Sequence, residues 1–232
     1  MMPEMFTNVP MMLLLTVGAY LFGVWVKRKS GLSILHPFII SVPVIIAVIR
    51  LLDISPDFYM QSNFIVDFML GPSVVALGYL LYRHRHTIRE HLVGIISAVL
   101  VGSIVGVVSV WALCPLLGLD EFFVRSLEAK SVTTPIAMDV TRAVGGDVSL
   151  AAVSVILTGF IGALIGPFVI KLLGIKDPVA KGLAMGCSSH GLGTARAIEL
   201  GAIEGAVSGL SIALMGVLTA IIVPLFNSIV GL

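Results

Sequence analysis

Apolar residues in this chain come in long unbroken runs, not in the alternating or one-face spacing of a water-soluble fold. Six runs stand out: residues 9–26, 34–52, 64–82, 92–117, 148–173 and 206–232. A helix needs about 20 mostly apolar residues to cross a hydrocarbon core, and these runs have that length. Two weaker segments, 122–145 and 178–201, are as long but carry charge and a Gly, Pro, Ser or Thr cluster at their centres. A further break, Gly71-Pro72-Ser73, interrupts the run 64–82. The pattern predicts an all-α polytopic transmembrane helical bundle of seven or eight spans, with internal repeats and with broken or re-entrant helices near the midplane. No segment carries a strand signal of note.

Composition confirms that lipid is the solvent. The chain is 58% hydrophobic and 12% charged, with a mean hydropathy of +1.10, whereas soluble domains are roughly 25% charged. A net charge of +1 leaves no nucleic-acid footprint. Cys114 and Cys187 both lie in apolar segments without metal-ligand spacing, so they read as small buried hydrophobes, and no metal or cofactor is expected. The first run precedes its basic cluster, Lys27-Arg28-Lys29, and shows no small-x-small cleavage site. It is therefore expected to be a retained span and not a signal peptide.

Basic residues set orientation. Lys27, Arg28 and Lys29 mark one short loop, and Arg83, Arg85 and Arg89 another, with an even number of runs between them. Both loops can be cytoplasmic together, with the N-terminus outside. The acidic loops around Asp53, Asp57, Asp120 and Glu121 then fall on the opposite side. Lys171, Lys176 and Lys181 join the cytoplasmic set only if segment 122–145 is re-entrant and does not fully cross.

A shift of 57 residues lays segment 131–174 on segment 188–231. Ser131 meets Ser188, Gly159 meets Gly216, Ile165 and Pro167 meet Ile222 and Pro224, and Gly174 meets Gly231. Each unit reads as a broken helix followed by a clean span. Residues 1–63 are then N-terminal spans, and 64–130 holds a fainter possible first copy. The same shift puts Asp139 on Arg196 and Arg142 on Glu199. Residues three apart share a helix face, so each unit carries a two-charge stripe, and the stripes have opposite order. Cross-pairing of Asp139 with Arg196 and of Arg142 with Glu199 would neutralise four charges inside the bilayer. A purely structural ion network is the alternative for these four residues. Glu204 is expected in a loop between spans.

Charge within hydrocarbon is a functional-site hypothesis by default. The stretch from Gly186 to Gly201 places His190, Arg196 and Glu199 in such a setting. Helix N-termini present unpaired N–H groups and partial positive charge, which suit an anion. Thr133-Thr134-Pro135 has the hydroxyls and the proline of a helix start, and Ser188-Ser189 stands before His190-Gly191-Leu192-Gly193 in the other copy. Arg196 adds a planar fork that matches a carboxylate. The expected substrate-binding set is Thr133, Thr134, Ser188, Ser189, His190, Gly191, Gly193, Thr194 and Arg196. His190 reads equally as a satisfied interior histidine. Close helix packing is the second reading for Gly186, Gly191 and Gly193, after a break in the helix. No hydrolase triad or nucleotide-binding fingerprint is present, so the chain is not expected to be an enzyme.

The stretches Ser131-Val132-Thr133-Thr134-Pro135-Ile136-Ala137 and His190-Gly191-Leu192-Gly193-Thr194-Ala195-Arg196-Ala197 resemble the two signature stretches of the LrgB/CidB family. The likeness covers nearly the whole chain and is most specific from about residue 131. A plastid glycolate/glycerate translocator contains a related C-terminal half. The resemblance implies a bacterial inner-membrane protein with one of two functions. One is carriage of small monocarboxylates such as pyruvate, glycolate or glycerate; in a carrier of this kind the residues themselves point to His190 or Glu199 as the group that would couple H+ or Na+. The other is holin- or antiholin-like control of murein hydrolase export and cell lysis. It also implies a small LrgA-type membrane partner and a homo- or hetero-oligomer. The carrier reading ranks first, because holins have no need of opposite charges in broken helices.

Overall fold

The computed structural model of the chain describes residues 9–31, 35 and 37–232. Residues 1–8 and the expected start of the second run at residue 34 lie outside the described residues. The chain divides into two compact units, residues 1–76 and 77–232. Every regular element described is helical.

The first unit holds α1 (Val9–Ser30), α2 (Pro37–Leu51), α3 (Pro56–Ser62), α4 (Phe64–Phe68) and the start of α5 (Leu70–Arg83). Its turns follow local chemistry. The Ser55 hydroxyl accepts a hydrogen bond from Phe58 N–H at 3.1 Å, with Pro56 in the first turn, and this begins α3. α1 packs closely on α2 at Gly23, where a Cβ would lie 2.6 Å from the Pro37 carbonyl oxygen. Thr16 Oγ1 lies 2.7 Å from both the Tyr59 hydroxyl and Asn63 Oδ1, so α1 and the α3 end share a small polar cluster.

The second unit continues α5 and adds α6 (Arg85–Glu90), α7 (Leu92–Leu116), α8 (Glu121–Leu127), α9 (Thr134–Ala143), α10 (Val148–Leu172), α11 (Pro178–Leu200) and α12 (Ala202–Val230). Asp147 and Asp177 cap α10 and α11, each accepting from a backbone N–H three residues on at 2.7 Å. Val99 and Val107 of α7, Val140 of α9, Val155 of α10, and Val207, Met215 and Val223 of α12 share one buried core. Among the described residues, five helical segments are long and apolar enough to cross a membrane: Val9–Ser30, Phe64–Arg83, Leu92–Leu116, Val148–Leu172 and Ala202–Val230. Pro37–Leu51 is a shorter apolar helix. The protein is a multi-pass all-α membrane protein.

The two weaker segments fold back on themselves. In α11 the backbone leaves helical geometry at His190 (φ 40°, ψ −126°). Beyond that residue the chain reverses. A Cβ on Gly193 would collide with the Met185 carbonyl oxygen, eight residues earlier, where a straight helix would separate the two by about 12 Å. Gly182 and Ile198 both touch the first turn of α12, at Glu204 and Gly205 respectively. Those two residues would stand about 24 Å apart on a straight rod. α11 is therefore a helical hairpin, residues 178–189 in and 191–200 back.

α8, the irregular segment 128–133 that follows it, and α9 form a second hairpin. Its two feet meet where Arg125 Nη1 donates to the Val144 carbonyl at 3.1 Å and Asp147 N–H donates to Ser126 Oγ at 2.8 Å. Because this hairpin returns to the end it came from, α7 and α10 run in opposite directions. Arg83, Arg85 and Arg89 before α7 then share one end of the unit with Lys171, Lys176 and Lys181 after α10. Asp120, Glu121 and Asp147 share the other. Glu204 is not in a loop: it occupies the first turn of α12 and is buried, because the hairpin foot at Gly182 packs directly on it.

Candidate functional site

The two hairpins enter from opposite ends, and their tips come to the same stretch of α7. Gly102 faces Cys187, just before the α11 reversal, with its Cβ position 3.7 Å from the Cys187 Cβ. One turn on, Gly106 faces Ser131 Oγ at 3.6 Å, and its carbonyl accepts from Lys130 Nζ at 3.4 Å. Both contacts lie near the middle of α7, between the ends of a helix long enough to span the bilayer. The middle of α12 closes the same level: Met215 Sδ accepts from the Ser103 hydroxyl at 3.0 Å, and Gly216 abuts Ile136 in the first turn of α9.

A glycine groove on α10 seats the tip of α11. A Cβ at Gly159 would lie 2.6 Å from His190 Nε2, one at Gly162 would lie 2.9 Å from the Ser189 Cβ, and one at Gly166 would lie 2.6 Å from Met185 Sδ. Without a hydrophobic effect between helices in lipid, close backbone approach and interhelical hydrogen bonds carry association. The groove supplies the first, and His190 supplies the second. Its Nε2 lies 2.9 Å from the Val155 carbonyl oxygen. A carbonyl only accepts, so Nε2 carries the proton and the tautomer is set. His190 is 7% exposed and holds a positive φ, a strained state for a non-glycine residue, kept in place by this packing.

The expected binding residues fall into two groups. Ser189, His190, Gly193 and Thr194 are buried and committed to packing. Ser189 sits in the Gly162 notch, and its hydroxyl lies 2.8 Å from that of Ser188. Thr194 Oγ1 lies 2.7 Å from Ser208 Oγ on α12. Thr133, Thr134, Ser188, Gly191 and Arg196 remain accessible. The Thr133 hydroxyl makes no capping bond, so the first N–H groups of α9 are not satisfied by it. Ser188 spends its proton on the Ala184 carbonyl at 2.7 Å and lines a cavity of about 340 Å³ between α10 and α11. Ser188 is the only polar side chain of that cavity's lining, which makes it an apolar space unsuited to a small anion.

The charges pair differently from the cross-repeat expectation. Arg142 Nη1 meets Asp139 Oδ1 at 2.7 Å within α9, and Arg196 pairs with Glu199 within α11. Partners three residues apart already share a face, so no approach of two hairpins is needed. The α9 pair is well exposed, and Arg196 is 35% exposed at its side chain. Sequence reasoning missed the α10 groove and its acceptor, Val155. It also passed over Glu128, a carboxyl that is buried in the turn between α8 and α9. Gly159, Gly162 and Gly166 at three- and four-residue spacing were the available signal for the groove.

The LrgB-like family model matches residues 16–229. Among curated relatives, "Uncharacterized protein YxaC" of Bacillus subtilis is 36% identical, over 92% of this chain and 93% of its own length. "Uncharacterized protein YwbG" of the same organism is 33% identical, over 93% and 96%. "Antiholin-like protein LrgB" of Bacillus subtilis is 29% identical, over 93% and 91%. No solved structure matches the chain.

Proposed function

The chain belongs to the LrgB-like family, and on that footing we propose that it is a secondary carrier of small monocarboxylates. The observation that carries this reading is the meeting of two oppositely entering hairpin tips at Gly102 and Gly106, mid-way along α7. Carriers use interrupted helices in this way, with half-helix N-termini aimed at an anionic group near the midplane. Here those N-termini are Thr134 and Gly191, each starting a ten-residue half-helix. Arg196 keeps guanidinium donors beyond the one given to Glu199, and a second carboxylate can take them. Within the expected set, Thr133, Thr134, Gly191 and Arg196 are the residues left to meet substrate. Ser189, His190, Gly193 and Thr194 hold the tip in shape. The lysine- and arginine-rich end of the second unit faces the cytoplasm by the positive-inside rule. A complex with a small LrgA-type membrane protein, or a homo-oligomer, belongs to the same proposal.

Uptake of labelled pyruvate, glycolate and glycerate into proteoliposomes tests the reading. Saturable uptake that falls at least tenfold in Arg196→Ala supports it. Equal uptake by wild type and Arg196→Ala removes Arg196 from the site.

Several relatives are named antiholin-like, which favours a second reading in which the chain regulates murein hydrolase export and lysis. The same vesicles separate the two. Leakage of dyes over a broad size range, unsaturated by any carboxylate, supports lysis control. Selective, saturable flux supports the carrier.

A further inference from the structure

A buried carboxyl in the hairpin between α8 and α9 has no role in the site described above. Glu128 lies in the turn after α8 and is 2% exposed, yet neither of its carboxyl oxygens has a hydrogen-bond partner. The Asn227 side chain of α12 lies beside it, is 4% exposed, and likewise leaves both its oxygen and its nitrogen unpartnered. Buried polar groups are almost always satisfied. Two adjacent ones that are not satisfied mark a place where something binds or where a proton comes and goes.

The surrounding charges do not neutralise Glu128. Arg125, one turn earlier on α8, gives Nη1 to the Val144 carbonyl at 3.1 Å and lies 4.0 Å from Glu121. Lys130 turns its Nζ to the Gly106 carbonyl. Cys114 is the one titratable side chain of α7. On α9, Asp139 and Arg142 satisfy each other, and Asp147 caps α10. α12 contributes only the neutral Asn227 at this level. A bare carboxylate without a committed cation is heavily penalised in such a place. The two side chains supply three oxygens, two from Glu128 and one from Asn227, a sparse set for an alkali cation. A proton needs only one.

We propose that Glu128, beside Asn227, is the proton-binding site that couples inward carriage of a monocarboxylate to the proton gradient. The placement fits. Glu128 sits between the acidic end of the unit, with Asp120 and Glu121, and the hairpin tip at Ser131 that reaches mid-membrane on Gly106. A proton from the outer face binds the carboxylate oxygen, the neutral acid accompanies the loaded anion, and the proton leaves to the inner face. No bond other than O–H forms or breaks.

The coupling rests on the carrier reading, and the test separates the two. Full-length protein is reconstituted with labelled glycolate on one side. Wild type accumulates label above equilibrium under an inward proton gradient. Glu128→Gln keeps equilibrium exchange within about threefold but accumulates nothing above equilibrium. Accumulation by Glu128→Gln equal to wild type, or accumulation by wild type that follows a sodium gradient alone, overturns the proposal. If wild type moves no acid, the carrier reading fails, and an infrared pH titration of the same protein judges the site by itself. A protonated-carboxyl band that shifts in Asn227→Ala and vanishes in Glu128→Gln supports proton binding there. Wild type lacking any such band overturns it, even if Glu128→Gln does not fold.

Discussion

Replacing Gly159 with alanine puts the reasoning about the hairpin tip under direct strain. The new methyl would stand 2.6 Å from His190 Nε2 and closer still to Cε1, well inside van der Waals contact. The ring has little room to retreat, because it is buried and tied to Val155. Overpacking of this kind costs about 1–3 kcal/mol. Pushing the ring off the Val155 carbonyl adds about 1 kcal/mol. Better helix propensity returns up to about 1 kcal/mol. The net expectation is a destabilisation of about 2 kcal/mol, read from reversible unfolding in mixed micelles. Gly94→Ala is the control, since its Cβ would meet open space. It should be neutral or slightly stabilising. Adding His190→Ala to Gly159→Ala removes the ring that clashes, so the two changes must be non-additive by about 1 kcal/mol or more. Gly159→Ala within about 0.5 kcal/mol of Gly94→Ala, or strictly additive behaviour in the double variant, refutes the groove.

Other consequences follow from the same geometry. In a protein with Cys114 and Cys187 replaced, cysteines introduced at Lys176 and Ala202 should label from the same membrane face; labelling from opposite faces means that α11 crosses. Thr194→Val strands the buried Ser208 hydroxyl and should lower stability by about 1–2 kcal/mol, while Thr194→Ser stays near wild type in the same unfolding assay. A double-mutant cycle on Asp139→Asn and Arg142→Gln should give a coupling of about 0.3–0.5 kcal/mol, whereas a cycle on Asp139 and Arg196 should give none.

Much of the architecture was readable from order along the chain. Run length identified five of the six runs as helices long enough to span, because the thickness of the bilayer imposes it; the run 34–52 instead gives the shorter α2. The break at His190 was foreshadowed by the serines and glycines around it. The helix start at Thr134 was foreshadowed by Thr133 and Pro135. These are local effects, decided by neighbours within a turn or two. The charged pairs show the limit. Equal spacing in two repeats suggested partners across the bundle, yet Asp139 and Arg142 were already within reach of each other on one face, and the nearer partner won.

The sequence by itself determined that this protein lives in lipid, most of the segments that can cross, and the break at His190, because hydrophobic length and turn chemistry act along the chain. The break expected at Gly71-Pro72-Ser73 is absent, since Pro72 falls in the first turn of α5, where its missing N–H does no harm. Tertiary structure alone decided that the broken segments turn back and do not cross. It set both tips against the middle of α7, seated His190 on Gly159, and left Glu128 beside Asn227. The tip, groove and carboxyl contacts join residues 25 to 99 positions apart, and no local propensity distinguishes one distant partner from another. Only the shape of the packed neighbours makes that choice.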